Sequence, residues 1–130
     1  MSKLLFFASD FKIGLSALLT DELIAFYQYG IDIVAIFGEN EQEPGLTEKV
    51  RSKNIPFNRI TGLDCHANFR ILAKAIREII IKNDIHIVHV QNNWQLILIA
   101  YVKYKLLFRH KVRVIYTLHG FRNNSLWKSY

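Results

Sequence analysis

A chain of 130 residues, 51% apolar and 13% aromatic, can bury a single core and is too apolar to be disordered. Its longest purely apolar runs, such as 96–102, are far too short to span a bilayer, and the apolar run at 1–8 is followed by no small-residue cleavage pattern. The net charge of +6 is unevenly placed: residues 1–66 carry six Lys/Arg against nine Asp/Glu, a net −3, whereas residues 67–130 carry eleven against two, a net +9. A basic half serves an anionic partner or is a solvated face, and the charge pattern alone leaves both open. Cys65 stands alone, which excludes an internal disulfide and fits a reducing compartment.

The pattern along the chain alternates strand and helix. Lys3 to Ala8, with Phe6 and Phe7, predicts a first strand, and Ser9-Asp10 supplies turn or cap chemistry after it. Leu15, Leu18, Leu19, Leu23 and Phe26 recur at helical spacing, so a helix is expected from about Gly14 to Tyr29, stopped by Gly30. The β-branched run 31–37 predicts the second strand. Residues 38–45 are acidic and turn-rich, and a short polar helix over about 46–53 leads to a brief third strand at 56–60.

After a loop at 61–66, a third helix is expected over about 67–83. Phe69, Leu72, Ala73, Ile76 and Ile80 lie on one side of it, and Arg70, Lys74, Arg77 and Lys82 on another. The fourth strand is Ile85 to Val90, the fourth helix about Trp94 to Phe108, and the fifth strand Arg113 to Leu118. Such alternation predicts an α/β fold with a Rossmann-like parallel sheet in order 3-2-1-4-5 and helices on both faces, in a single domain over 1–130. The fourth helix is apolar on almost every side and is followed by Arg109, His110, Lys111 and Arg113. It reads as a core helix, or as one whose aromatic and basic end rests on an anionic membrane or on a further domain.

In an open parallel sheet, ligands bind beyond the carboxyl ends of the strands. The residues placed there carry the candidate chemistry. His119 and Gly120 follow the fifth strand: an imidazole there can contact a phosphate or a sugar hydroxyl, or cap local carbonyls, and a glycine permits close approach or a tight turn. Gly14, with Lys12 beside it, opens the first helix, where free N–H groups favour an anion. Gln91, Asn92 and Asn93 end the fourth strand and suit either sugar hydroxyls or the cap of the next helix. His89 lies within that strand and reads as a core histidine bonded to its neighbours. No zinc-ligand spacing, P-loop, G-x-S-x-G elbow or G-x-G-x-x-G fingerprint occurs in the sequence.

Taken together, four passages resemble the N-terminal domain of GT-B glycosyltransferases of the family-4 (group 1) type. They are the first strand with its glycine loop; Leu23 to Phe37 with Gly30; Ile87-Val88-His89-Val90; and Ile115-Tyr116-Thr117-Leu118-His119-Gly120-Phe121. The resemblance covers nearly the whole chain. It implies retaining transfer of a sugar from a nucleotide-diphospho-sugar to a glycan or lipid-linked acceptor, in cell-surface polysaccharide synthesis. It makes His119 the catalytic residue at an interdomain cleft. It places Gly14 in a glycine loop near the donor phosphates and the acceptor. From their place at the carboxyl edge, Lys12, Gln91, Asn92 and Gly120 are the further substrate-binding candidates, and neither a metal nor a cofactor besides the donor is expected. Two departures touch the acceptor side. The glycine loop has Gly14 where the family commonly has a pair, and Gln91 stands where the family's strand carries a second histidine.

The resemblance further implies a second, nucleotide-binding domain as partner, beyond residue 130, without which the chain is expected to be inactive. The expected location is the cytoplasm, at the inner face of the membrane, with no nucleic-acid partner. The alternative reading is a non-catalytic Rossmann-like binding or interaction module.

Overall fold

The computed structural model describes residues 3–8, 15–38, 46–60, 68–106 and 109–117. These build β1 (Lys3–Phe7), α1 (Leu15–Gln28), β2 (Ile33–Gly38), α2 (Leu46–Ser52), β3 (Phe57–Ile60), α3 (Phe69–Lys82), β4 (Ile85–Val90), α4 (Asn93–Leu106) and β5 (Arg113–Tyr116). The sheet is parallel throughout, in the order β3-β2-β1-β4-β5 that the alternation predicts.

Strand side chains alternate between two apolar layers. Leu5, Phe7, Val34, Ile36, Val88 and Val90 pack against α3 and α4. Leu4, Phe6, Ala8, Ile33, Ala35 and Phe37 pack against α1 and α2 on the other face. Both layers are needed because the central strands are buried on each side: Leu5, Phe6, Phe7, Ala35 and Ile36 have no exposed surface. This explains why these strands read as unbroken apolar runs.

Helix ends follow the local chemistry. At the end of α1, Gly30 takes φ 96°, a left-handed conformation that costs other residues more. The N–H groups of Gly30 and Ile31 then close on the carbonyls of Tyr27 and Phe26, a Schellman stop. At the start of α3, the Asn68 side chain accepts from the Ile71 N–H. Among the described residues, no helix is long and apolar enough to cross a membrane.

The entry to β4 departs from simple alternation. Lys3 pairs with Ile85 and Leu4 with Ile87, so the register shifts and His86 is set outside the regular ladder. Its ring stacks on that of His110, centroids 4.5 Å apart and planes 16° apart. The two histidines therefore join the amino-terminal ends of β4 and β5, at the edge opposite the strands' carboxyl ends.

Ile76 sits with no exposure between α3 and the sheet. Ile76→Ala is expected to lower unfolding free energy by about 2–5 kcal/mol, the range for deleting a buried aliphatic side chain. Exposed Arg70→Ala on the same helix is expected to stay within about 0.5 kcal/mol. Denaturant unfolding of both variants checks the pair.

Candidate functional site at the carboxyl edge of the sheet

With all strands parallel, the carboxyl ends of the five strands share one edge. β4 and β5 form its best-described part, because Val90 lies opposite Tyr116 and the Thr117 N–H donates to the Val90 carbonyl at 3.2 Å. The ladder thus brings Gln91 and Thr117 side by side.

A buried polar cluster forms there on the α1 side of the sheet. His89 is only 4% exposed and packs against Phe6, ring centroids 4.9 Å apart. Its Nδ1 lies 3.2 Å from Gln91 Nε2, and its Nε2 lies 2.5 Å from Thr117 Oγ1. An amide nitrogen can only donate, so Nδ1 accepts and the proton sits on Nε2, which donates to the threonine hydroxyl. Glu22 of α1 brings Oε1 to 4.0 Å from the same Nδ1. His89 is therefore a core histidine bonded to its neighbours, as its place within a strand suggests, and it orients both polar side chains that follow the two strands.

Gln91 and Asn92, expected at a substrate edge, are in position at the carboxyl end of β4, and both are tied into the fold. Gln91 is 2% exposed, with its side chain turned back on His89. Asn92 caps α4: its Oδ1 accepts from the Gln95 N–H at 2.8 Å, while Gln95 Oε1 accepts from the Gln91 N–H at 2.8 Å. This reciprocal pair resembles a capping box and fixes where α4 begins. On the α4 side of the sheet, Tyr116 Oη donates to Asn93 Oδ1 at 2.6 Å, joining the end of β5 to the first turn of α4. Lys12, Gly14, His119 and Gly120 lie outside the described residues.

Several residues of this edge were not singled out from sequence. Thr117 and Glu22 meet His89 only through strand pairing and helix packing. Asn92-x-x-Gln95 is a local signal, legible as a capping box once the helix start is placed. Arg59, near the carboxyl end of β3, donates to Thr47 Oγ1 at 2.6 Å and to the Gly38 carbonyl at 3.4 Å. It brings a guanidinium to the same edge while tying β3 to α2 and to the end of β2.

At the opposite edge, Asp84, His86 and His110 bring potential ligand atoms within 4.8 Å of one another. Imidazole coordination places a metal in the ring plane along the nitrogen lone pair. Two nearly parallel stacked rings cannot both meet that condition at one ion. Their hydrogen bonds serve the fold instead: His86 Nδ1 donates to the Lys111 carbonyl and His110 Nε2 to the Ile85 carbonyl.

No protein-family model matches the chain, and no curated protein matches it. Among solved structures it is similar to the crystal structure of a glycosyltransferase from Rickettsia africae ESF-5, at a TM-score of 0.67 and 20% identity over 99% of this chain. The chain spans 33% of that protein's length. The likeness shows a shared Rossmann-like α/β fold.

Thr117→Val replaces the hydroxyl that accepts from His89 Nε2 with a methyl. The loss is expected to cost about 1–3 kcal/mol of stability, the range for a buried donor deprived of its partner. Gln91→Leu and Thr117→Val combined are expected to be non-additive, because both act on one imidazole. A double-mutant cycle by denaturant unfolding measures the coupling.

Proposed function

We propose that the chain is the acceptor-side domain of a glycosyltransferase of GT-B type, moving a sugar from a nucleotide-diphospho-sugar to a glycan or lipid-linked acceptor. The observation that carries this reading is the match of 99% of the chain to one third of a glycosyltransferase, with polar side chains gathered at the sheet edge where α/β folds bind ligands. Two of the four passages that resemble the family run along β4 and β5, which are neighbours in the sheet, with His89 opposite Ile115 and Val90 opposite Tyr116.

In this reading the β4–β5 edge forms one wall of an interdomain cleft. The His89 cluster is a rigid floor: its members are buried and bonded to one another, so they position the chain that follows β5 rather than meet substrate themselves. Residues after Thr117, His119 among them, would then enter the cleft from a fixed strand end. An imidazole there can hydrogen-bond the sugar as charge develops at its anomeric carbon. The donor nucleotide would be held by a second domain, and the retaining course and the place in polysaccharide synthesis belong to the same proposal.

The test is made on a polypeptide that joins this domain to a nucleotide-binding domain. His119→Ala is expected to lower kcat about 10²–10³-fold, as loss of a transition-state hydrogen bond does, while the thermal midpoint stays within about 2 °C. For the 130-residue chain alone, glycan acceptors are expected to perturb amide resonances around Gln91 and Thr117, with no donor turnover. Acceptor binding at this edge without sugar transfer in any joined form would instead identify a non-catalytic binding module. Near-normal kcat in a folded His119→Ala protein would remove the catalytic assignment.

A further inference from the structure

The charge imbalance along the sequence becomes, in the fold, a difference between the two faces of the sheet. α1 and α2 carry two Lys/Arg and three Asp/Glu, whereas α3 and α4 carry six and one. On α3 the cations converge: Arg70, Lys74 and Arg77 recur at i, i+4 and i+7, a stripe about 10 Å long at a rise of 1.5 Å per residue. With Tyr101 and Lys105 of α4 they line a cavity of about 210 Å³ between the helices. A second cavity, of about 550 Å³, shares Arg77 and Lys105 and adds Arg109 and His110, with Glu78 as its acid.

Among the described residues, Arg70, Lys74, Arg77, Lys105 and Arg109 make no ion pair; Lys105 stands over the Tyr101 ring, 5.5 Å from its centroid. Five cations gathered around two cavities that Glu78 alone lines with an acid raise the local potential and favour an anion.

Apolar side chains stand among these charges. Ile81 continues the α3 stripe at i+4 from Arg77 and is 55% exposed. On α4, Ile97, Tyr101 and Tyr104 recur at i, i+4 and i+7, with Ile97 59% and Tyr104 68% exposed. A soluble polyanion would account for the cations and leave the exposed isoleucines unexplained. A bilayer with anionic headgroups accounts for both, since guanidinium and ammonium groups meet phosphates while Ile and Tyr enter the headgroup–acyl boundary.

We propose that the α3–α4 face docks flat on an anionic phospholipid bilayer, with headgroup phosphates seated in the groove between Lys74, Arg77 and Lys105. α4 has 14 residues and a length of about 21 Å, too short for the ~30 Å hydrocarbon core, so it lies on the surface. The sheet beneath the two helices then lies along the bilayer, and its carboxyl edge opens sideways, parallel to the membrane. This docking does not rest on the transferase reading, because neither the cations nor the exposed apolar residues belong to the carboxyl edge.

Co-sedimentation of the 130-residue chain with vesicles tests it. Vesicles with about a third phosphatidylglycerol are expected to bind the chain, and pure phosphatidylcholine vesicles are not. A Lys or Arg near an anionic surface contributes about a fivefold gain in partitioning. Lys74→Ala/Arg77→Ala/Lys105→Ala together are therefore expected to weaken binding roughly a hundredfold. Lys49→Ala/Arg51→Ala/Lys53→Ala removes the same charge from the region of α2 and is expected to change it less than about fivefold. Ile97→Ser/Tyr104→Ser should weaken binding and make the remainder more salt-sensitive. Thermal midpoints near that of the parent chain confirm that each variant is folded.

Equal losses from the two charge triples would overturn the proposal in favour of diffuse attraction. Glycerol phosphate perturbing the resonances of Arg77 and Lys105, with no vesicle binding, would assign the groove to a soluble phosphate. Duplex DNA retained more strongly than vesicles at the same salt would assign it to nucleic acid.

Discussion

The structure depends on burying β1, β2 and β4 on both faces. A parallel sheet cannot turn back on itself through short hairpins, so each strand is followed by a crossover that returns outside the sheet. Those crossovers are the helices, and their apolar stripes cover the strands. The strand order follows: β2, β1 and β4 are interior, and β3 and β5 lie at the two edges. The edge strands are the ones that tolerate polar side chains, with Asn58 and Arg59 exposed on β3 and Arg113 on β5.

The same constraint separates the two ends of the sheet. At the carboxyl ends, backbone leaves the strands beside helix starts, and polar side chains settle the groups left open there. Asn92 and Gln95 close the start of α4, while His89 holds Gln91 and Thr117 together beneath the edge. The interior hydrogen bonds of that cluster make it a fixed support. At the amino-terminal ends, the register shift near Lys3 and the stacked pair His86–His110 do a different task, joining the entries to β4 and β5. Histidines thus occur at both ends of β4, and their surroundings distinguish them: one is buried against Phe6, the other partly open to solvent beside Asp84.

α4 connects the carboxyl edge of the sheet with the α3–α4 face. Its first turn is anchored to both strands of the carboxyl edge, through Asn92 to β4 and through Asn93 to Tyr116 of β5. Farther along, its exposed side meets α3 at the cationic groove. A helix fixed at its start by a cap and along its length by Leu98, Ile99 and Val102 in the core holds these two surfaces at a constant distance. Anything that orients the α3–α4 face therefore also orients the carboxyl edge.

Sequence alone determined the elements and their order. Apolar runs of strand length, helical spacing in 15–26 and 69–80, Gly30 as a stop and strict alternation lead to the 3-2-1-4-5 sheet, because hydrophobic period and crossover handedness leave few other arrangements. The place of Gln91 and Asn92 at a strand's carboxyl end was legible for the same reason. Their partners were not. Thr117 reaches His89 across 28 positions and Glu22 reaches it from α1, contacts that exist only once strand register and helix docking are set. The charge asymmetry was visible as a count, yet whether it made a patch depended on where the helices went. α1 and α2 cover one face and α3 and α4 the other, so a division along the chain became a division in space. Periodicity is a local property that a one-dimensional reading captures; the meeting of distant side chains is set by how the layers pack, and only the tertiary structure supplies that.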